Sequence, residues 1–129
     1  MQVSTFLMFV GVAEEAMSFY VSLLPNSRIV SIERYGADAL GKEGSVKHAV
    51  FELGGTRYMA TDSPIPHAFT FTPSTSIFVE CDTREQLDGA VEKLIDGGQA
   101  LMPPGSYGFS TWFAWIQDRF GVSWQLNLP

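Results

Sequence analysis

Hydrophobic and polar positions along the chain change their period several times, and these changes predict the order of strands and helices. Apolar residues fill most positions of residues 2–10, then recur at intervals of three and four from Ala13 to Leu24, and then alternate with polar residues. Unbroken or alternating apolar runs are typical of strands, and intervals of three and four are typical of a helix. Gly54-Gly55 is a two-residue hairpin signal. The first half is therefore predicted to contain a helix from Ala13 to before Pro25, and strands over Gln2–Val10, Arg28–Tyr35, Val46–Leu53 and Arg57–Thr61.

The same order of patterns returns in the second half. Thr83 and Gln86 have the spacing of a capping box, which bonds free N–H groups at the start of a helix. An apolar stripe follows, and Gly97-Gly98 ends the helix. The predicted strands of this half are Ser76–Cys81, Gln99–Met102, Trp112–Gln117 and Val122–Leu128.

The repetition predicts the topology. Tyr35-Gly36 returns as Tyr107-Gly108, 72 positions later, and the same shift places the first helix on the second. We therefore predict an α+β protein with one domain, residues 1–129, built from two βαβββ halves, residues 1–66 and 67–129. Neither half could bury its apolar surface alone. We expect the two curved sheets to face each other around a cup that holds a ligand.

Charge and cysteine content narrow the function. The formal net charge is -6 at pH 7 with only eight Lys and Arg, so neither nucleic acid nor an anionic membrane surface is an expected partner. The single cysteine, Cys81, permits no intrachain disulfide and no cysteine-based zinc cluster. Residues 1–10 lack the basic start of a secretion signal, and no apolar run approaches the ~18 residues of a membrane span. We expect a cytoplasmic protein.

Several motifs resemble a known family. They are Phe6-Leu7-Met8-Phe9, Ala13-Glu14-Glu15-Ala16, the run from Phe19-Tyr20 to Asn26-Ser27, Phe51-Glu52-Leu53-Gly54-Gly55, and Asp118-Arg119-Phe120-Gly121-Val122-Ser123-Trp124-Gln125. Together they resemble the PhnB-like family, often labelled demethylubiquinone methyltransferase. That family lies within the vicinal-oxygen-chelate superfamily, which includes glyoxalase I and the bleomycin-resistance proteins. The resemblance covers nearly the whole chain and implies the cup-shaped fold of that superfamily.

The methyltransferase label is not expected to describe the chemistry. S-adenosylmethionine usually needs a nucleotide-type fold with a Gly-rich turn from strand to helix, and the chain has no such turn. No cofactor is expected, and the sequence leaves open whether the protein is an enzyme.

The resemblance also implies where a metal would bind. Metal-dependent members of the superfamily place His, Glu or Gln ligands at four cup-facing positions, which correspond here to Thr5, Ala60, Ser76 and Gln125. Hydroxyl, methyl and amide groups are poor ligands for a divalent transition metal. We therefore expect no metal ion.

A ligand pocket is expected at cup-facing strand positions. His48 and Glu52 share strand parity and are the candidate catalytic residues, with His48 as a general base oriented by a carboxylate. The alternative for His48 is a hydrogen bond to a neighbour across the hairpin. Trp124 and Cys81 are expected in the core. The predicted pocket residues are Thr5, Leu7, Phe9, Tyr58, Ala60, Asp62, Ser76, Phe78, Glu80, Phe113, Trp115 and Gln125.

Three functions remain open. The first is a metal-free PhnB-like protein that binds a small organic molecule, either storing it or catalysing a mild acid–base step. The second is a metal-dependent lyase or dioxygenase that uses His48, Glu52 or Glu80. The third is an interaction module without ligand chemistry. We expect a homodimer, because a long apolar edge such as Phe6–Val10 is safer covered than exposed.

Overall fold

The computed structural model describes all of residues 1–129 and confirms the predicted order of elements in both halves. It divides into two units, Met1–Ala68 and Phe69–Pro129, each with one helix and one four-stranded sheet. Neither helix combines the length and the hydropathy needed to cross a membrane. The first unit contains β1 (Thr5–Phe9), α1 (Ala13–Leu23), β2 (Arg28–Arg34), β3 (Val46–Leu53) and β4 (Thr56–Asp62). The second contains β5 (Ser76–Glu80), α2 (Arg84–Ile95), β6 (Gln99–Gly105), β7 (Trp112–Gln117) and β8 (Ser123–Leu128).

Strand β1 lies at one edge of the first sheet and pairs in parallel with β4, the last strand of its unit. The strand order is β1-β4-β3-β2, and the other pairs are antiparallel. Gly54 and Gly55 join β3 to β4 with φ angles of 55° and 83°, which glycine adopts without strain. Leu53 pairs with Thr56, so this short turn sets the register of the hairpin.

Helix α1 covers one face of the first sheet. Ala13, Ala16, Met17 and Tyr20 are fully buried, because their spacing places them on one side of the helix. The buried sheet residues on the same side are Leu7, Phe9, Ala49, Phe51, Leu53 and Ala60. This layer determines which side of each strand faces the helix.

Helix α2 begins with the predicted capping interaction. The Thr83 hydroxyl accepts a hydrogen bond from Gln86 N at 3.1 Å, and the Gln86 side chain accepts one from Asp82 N at 2.8 Å. The second sheet has the order β5-β8-β7-β6, with β5 parallel to β8. Trp124 and Cys81 are buried in this unit, as predicted.

One strand extends well past its predicted end. Strand β6 continues beyond Met102 through Pro103 and Pro104 to Gly105. It is an edge strand, and an edge tolerates prolines because one side of the strand needs no N–H donors. Register shifts interrupt its pairing with β7 on both sides of Met102.

Candidate functional site

Each sheet has one face covered by the helix of its own unit and a second face, the open face, on the other side. Side chains alternate between these faces along a strand. In the first sheet, Ala60 lies opposite both Leu7 and Ala49, and all three are buried on the helix side. Their neighbours along each strand therefore belong to the open face. Its residues are Phe6, Met8, Arg28, Ser31, Glu33, His48, Val50, Glu52, Arg57, Met59 and Thr61.

His48 and Glu52 both lie on the open face, but they do not form an acid–base pair. Glu52 Oε1 instead accepts a hydrogen bond from Arg28 Nε at 2.8 Å. The His48 ring packs against Phe6, with ring centroids 5.9 Å apart and planes tilted by 60°. His48 has no hydrogen bond to a carboxylate or across the hairpin. It can meet a ligand on this face, but it lacks the orienting partner that supports a strong general base.

Six predicted pocket residues lie on the helix side of the first sheet, so the prediction of their face was wrong. They are Thr5, Leu7, Phe9, Tyr58, Ala60 and Asp62. The motif Phe6-Leu7-Met8-Phe9 is apolar at every position, so it shows no alternation. The face of each β1 residue had to be assigned by counting back from α1 across the intervening loop. A one-residue error in that count moves every side chain of the strand to the opposite face.

Asp62 and Tyr58 have structural roles. Asp62 Oδ1 accepts from Ala13 N and Oδ2 accepts from Val46 N, both at 2.9 Å. The Tyr58 ring stacks on Phe51 with centroids 5.4 Å apart. Burial raises the pKa of the Tyr58 phenol. Both side chains therefore support the layer under α1 rather than the open face.

The second sheet has the predicted arrangement. Ile77, Trp124 and Leu126 are buried on the helix side, and the residues between them alternate to the open face. Register pairs Phe78 with Gln125 and Gln125 with Trp115, so these three form one row across the strands. All six predicted pocket residues of this sheet share the open face; they are Ser76, Phe78, Glu80, Phe113, Trp115 and Gln125.

Aromatic and acidic side chains flank this row. The Phe78 side chain is 53% exposed, and Glu80 is also exposed. Phe113 is 5% exposed and packs edge-on against Phe109, with centroids 4.9 Å apart. The open face therefore offers apolar ring surface next to polar groups.

A chain of hydrogen bonds connects four side chains on the second open face. Trp115 Nε1 donates to Ser123 Oγ at 2.8 Å. The hydroxyl oxygens of Ser123 and Ser76 are 2.6 Å apart, and Gln125 Nε2 donates to Ser76 Oγ at 3.2 Å. Ser123 is 1% exposed, whereas Ser76 and Gln125 are partly exposed. The hydrogen bonds thus connect the buried Ser123 hydroxyl to the Ser76 hydroxyl and the Gln125 amide at the surface of the sheet.

Among the four hydrogen-bonded side chains, Ser123 is the one that the sequence prediction missed. A signal was present, because Ser123 lies two residues before Gln125 and must share its face. The parallel register also places Ser123 opposite Ser76. The contact between Ser76 and Ser123 can be predicted only when the pairing of β5 with β8 is known.

Two of the four positions that the resemblance assigns to metal ligands lie on the face away from the expected cup, and the other two carry weak ligands for a transition metal. Thr5 and Ala60 are on the helix side of the first sheet, and Ser76 and Gln125 offer a hydroxyl and an amide. Nowhere in the chain do three His, Cys, Asp or Glu side chains gather in a way that could hold a metal ion. Imidazole, thiolate and carboxylate are the ligands such metals prefer.

Comparison with known proteins assigns the family and the fold. A family model described as 3-demethylubiquinone-9 3-methyltransferase matches residues 1–127. A solved structure described as a PhnB protein from Bacillus cereus is 53% identical, with 100% of both chains covered and a TM-score of 0.97. No curated protein matches the chain significantly.

Two distant structures show the fold alone. A glyoxalase/bleomycin resistance protein from Albidiferax ferrireducens is 17% identical, with 97% of both chains covered and a TM-score of 0.61. The fosfomycin resistance protein FosX from Listeria monocytogenes, in complex with Mn(II) and a dihydroxypropylphosphonic acid, is 11% identical; 99% of this chain and 91% of FosX are covered, with a TM-score of 0.65. These similarities confirm the predicted vicinal-oxygen-chelate fold.

Proposed function

Since this chain belongs to the 3-demethylubiquinone-9 3-methyltransferase family of PhnB-like proteins, we propose that it binds a small organic molecule without a resident metal ion. The observation that carries this proposal is the hydrogen-bonded chain from Trp115 to Gln125 on the second open face. By the resemblance, Ser76 and Gln125 correspond to positions where metal-dependent members of the superfamily hold an ion. Here they bond each other through neutral groups beside exposed ring surface, which suits an organic ligand.

The family description does not extend to methyl transfer in this proposal. A nucleotide-type methyl donor needs close backbone approach at a Gly-rich turn between a strand and a helix. The connection from β1 to α1 contains one glycine, Gly11, and the connection from β5 to α2 contains none. Neither connection provides such a turn.

A mild acid–base step is the chemistry we assign to the first open face. His48 is the imidazole available there, and its ring is held by Phe6 rather than by a carboxylate. An imidazole can accept and return one proton without help from a metal.

Metal analysis of purified protein, together with tryptophan fluorescence, tests the proposal. We expect no stoichiometric metal, and we expect compounds from a metabolite library to quench the fluorescence. Trp115→Phe should remove most of this quenching, whereas Trp112→Phe, the matched control, should retain it. Stoichiometric zinc, nickel or iron with metal-dependent turnover would overturn the proposal.

A further inference from the structure

We infer that the second open face recognises an uncharged carbonyl oxygen attached to a flat apolar group, with the Ser76 hydroxyl as the donor. This inference rests on the proposed function, because it names the class of ligand for the same site. It follows from the direction in which the hydrogen bonds of the site must run.

The buried end of this series of hydrogen bonds, at Ser123, determines the direction in which they run. Ser123 Oγ accepts a hydrogen bond from Trp115 Nε1, and its only other partner is Ser76 Oγ at 2.6 Å. Each hydroxyl has one hydrogen, so only one of the two serines can donate in the bond between them. If Ser76 donated, the Ser123 hydrogen would be left without a partner at a site that is 1% exposed. Burying an unpaired donor is unfavourable, so Ser123 donates to Ser76.

Ser76 can then act only as an outward donor. Its two lone pairs are occupied by the Ser123 hydroxyl and by Gln125 Nε2. Its own hydrogen has no partner among these residues, and Ser76 is partly exposed. Hydrogen bonds in such a chain strengthen one another, so the terminal donor is a good one.

Charge and ring surface specify the rest of the ligand. Glu80 lies on the same face, and the formal net charge of the chain is -6, so an anionic oxygen is repelled. A neutral carbonyl oxygen accepts the Ser76 hydrogen without this penalty. Phe78, which is 53% exposed, and Trp115 share a row with Gln125 and offer ring surface to a flat apolar group.

A titration with two probes of one carbon skeleton tests the inference. Acetophenone carries only an acceptor, and 1-phenylethylammonium carries only donors. Proton–nitrogen correlation spectra report the indole N–H of each tryptophan. We expect acetophenone to shift the Trp115 signal and to leave the Trp124 signal unchanged, because Trp124 Nε1 bonds Asp118 on the helix side at 2.9 Å. Glu80 attracts the ammonium probe through its charge, so the affinity of that probe should not depend on the Ser76 hydroxyl.

Matched serine variants provide the second arm. Ser76→Ala should weaken acetophenone binding by about three- to tenfold, which is the loss of one neutral hydrogen bond. Ser74→Ala is the control, because the exposed Ser74 forms a hydrogen bond with Thr72 Oγ1 and is not one of the four hydrogen-bonded residues of the site. A Trp115 signal that does not respond to acetophenone, or an affinity for the ammonium probe that falls in Ser76→Ala as much as the affinity for acetophenone, would overturn the inference. Equal acetophenone affinity in Ser76→Ala and wild type would also overturn it.

The two proposals fail in different ways. Stoichiometric metal in the purified protein would remove the metal-free function but would leave the Ser76-dependent binding of acetophenone intact. If library compounds quench the fluorescence equally in wild type and in Ser76→Ala, the proposed ligand binding stands and the inference about Ser76 fails.

Discussion

Asp62 Oδ1 accepts a hydrogen bond from the first backbone N–H of helix α1, that of Ala13, at 2.9 Å. Its second oxygen accepts from Val46 N, at the start of β3, at the same distance. The residue itself ends β4 and is 3% exposed. One buried carboxylate therefore connects three elements of the first unit. Its negative charge also suits the start of a helix, where N–H groups are otherwise unpaired.

Asp62→Ala is expected to lower the free energy of unfolding by about 2–4 kcal/mol, because it leaves two buried N–H groups without an acceptor. Asp62→Asn should also destabilise, since its amino group would oppose one of the two N–H donors. Urea denaturation measures both. Asp38→Ala, at an exposed loop position, is the control and should change stability little. An Asp62→Ala variant as stable as wild type would contradict this role.

Two glycines near α2 should respond to alanine in opposite ways. At Gly98, an added Cβ would lie 2.2 Å from Gln117 O and 3.0 Å from Asp118 Cα, and neither backbone atom can move away cheaply. Gly98→Ala should therefore cost several kcal/mol. At Gly89, inside α2, nothing lies within 4 Å of an added Cβ. Gly89→Ala should stabilise by about 0.5–1 kcal/mol, because alanine has the higher helix propensity.

Thermal melts of both variants check this prediction. A lowered melting temperature for Gly89→Ala, or an unchanged one for Gly98→Ala, would show that the packing around the middle of α2 or after its C-terminal end, respectively, differs from that described.

Alkylation of Cys81 should depend on pH differently in the folded and unfolded protein. Burial, and secondarily the Asp82 charge, raise the pKa of the Cys81 thiol in the folded chain. The neutral thiol is favoured by folding, so this contribution to stability is present below the pKa of the unfolded thiol. It is lost as pH rises through the higher folded pKa.

Iodoacetamide rates measured against pH, with and without urea, test the direction. The pH at which the alkylation rate is half-maximal should be higher for the folded protein than for the unfolded one. Asp82→Asn should lower this pH slightly in the folded protein. A folded midpoint at or below the unfolded one would contradict the burial of Cys81.

His48→Ala distinguishes the proposed function from the metalloenzyme alternative. Since His48 contacts Phe6 and has no hydrogen bond, its removal should cost less than about 1 kcal/mol and should leave the metal content of purified protein unchanged. Plasma mass spectrometry measures that content, and His67→Ala is the control for loss of an imidazole. Loss of bound metal in His48→Ala alone would favour the metalloenzyme.

The second sheet could be predicted from sequence because its strands alternate clearly. In β5, Ile77 and Val79 alternate with Ser76, Phe78 and Glu80, and Trp124 precedes Gln125 in β8. Each face was therefore assigned correctly. The hydrogen bonds among the polar side chains could not be predicted, because they depend on a parallel register between strands that are distant in sequence.

The first sheet shows the limit of such patterns. Strand β1 is apolar on both faces, so its parity could not be determined from composition. The turn at Gly54-Gly55 did contain usable information, because a two-residue hairpin places Tyr58 opposite Phe51 and not on the side of His48. Homodimer formation and a cytoplasmic location stay predictions.

Strand β1 is translated before the other strands of its unit, but its one neighbour in the sheet, β4, is the last strand of that unit. A ribosome releases Thr5–Phe9 long before Asp62 emerges from the exit tunnel. Until then this apolar segment has no ladder to join, and such segments attract chaperones and incorrect partners. The first strand of the unit to be translated thus gains a partner in the sheet only when the last strand of the unit appears.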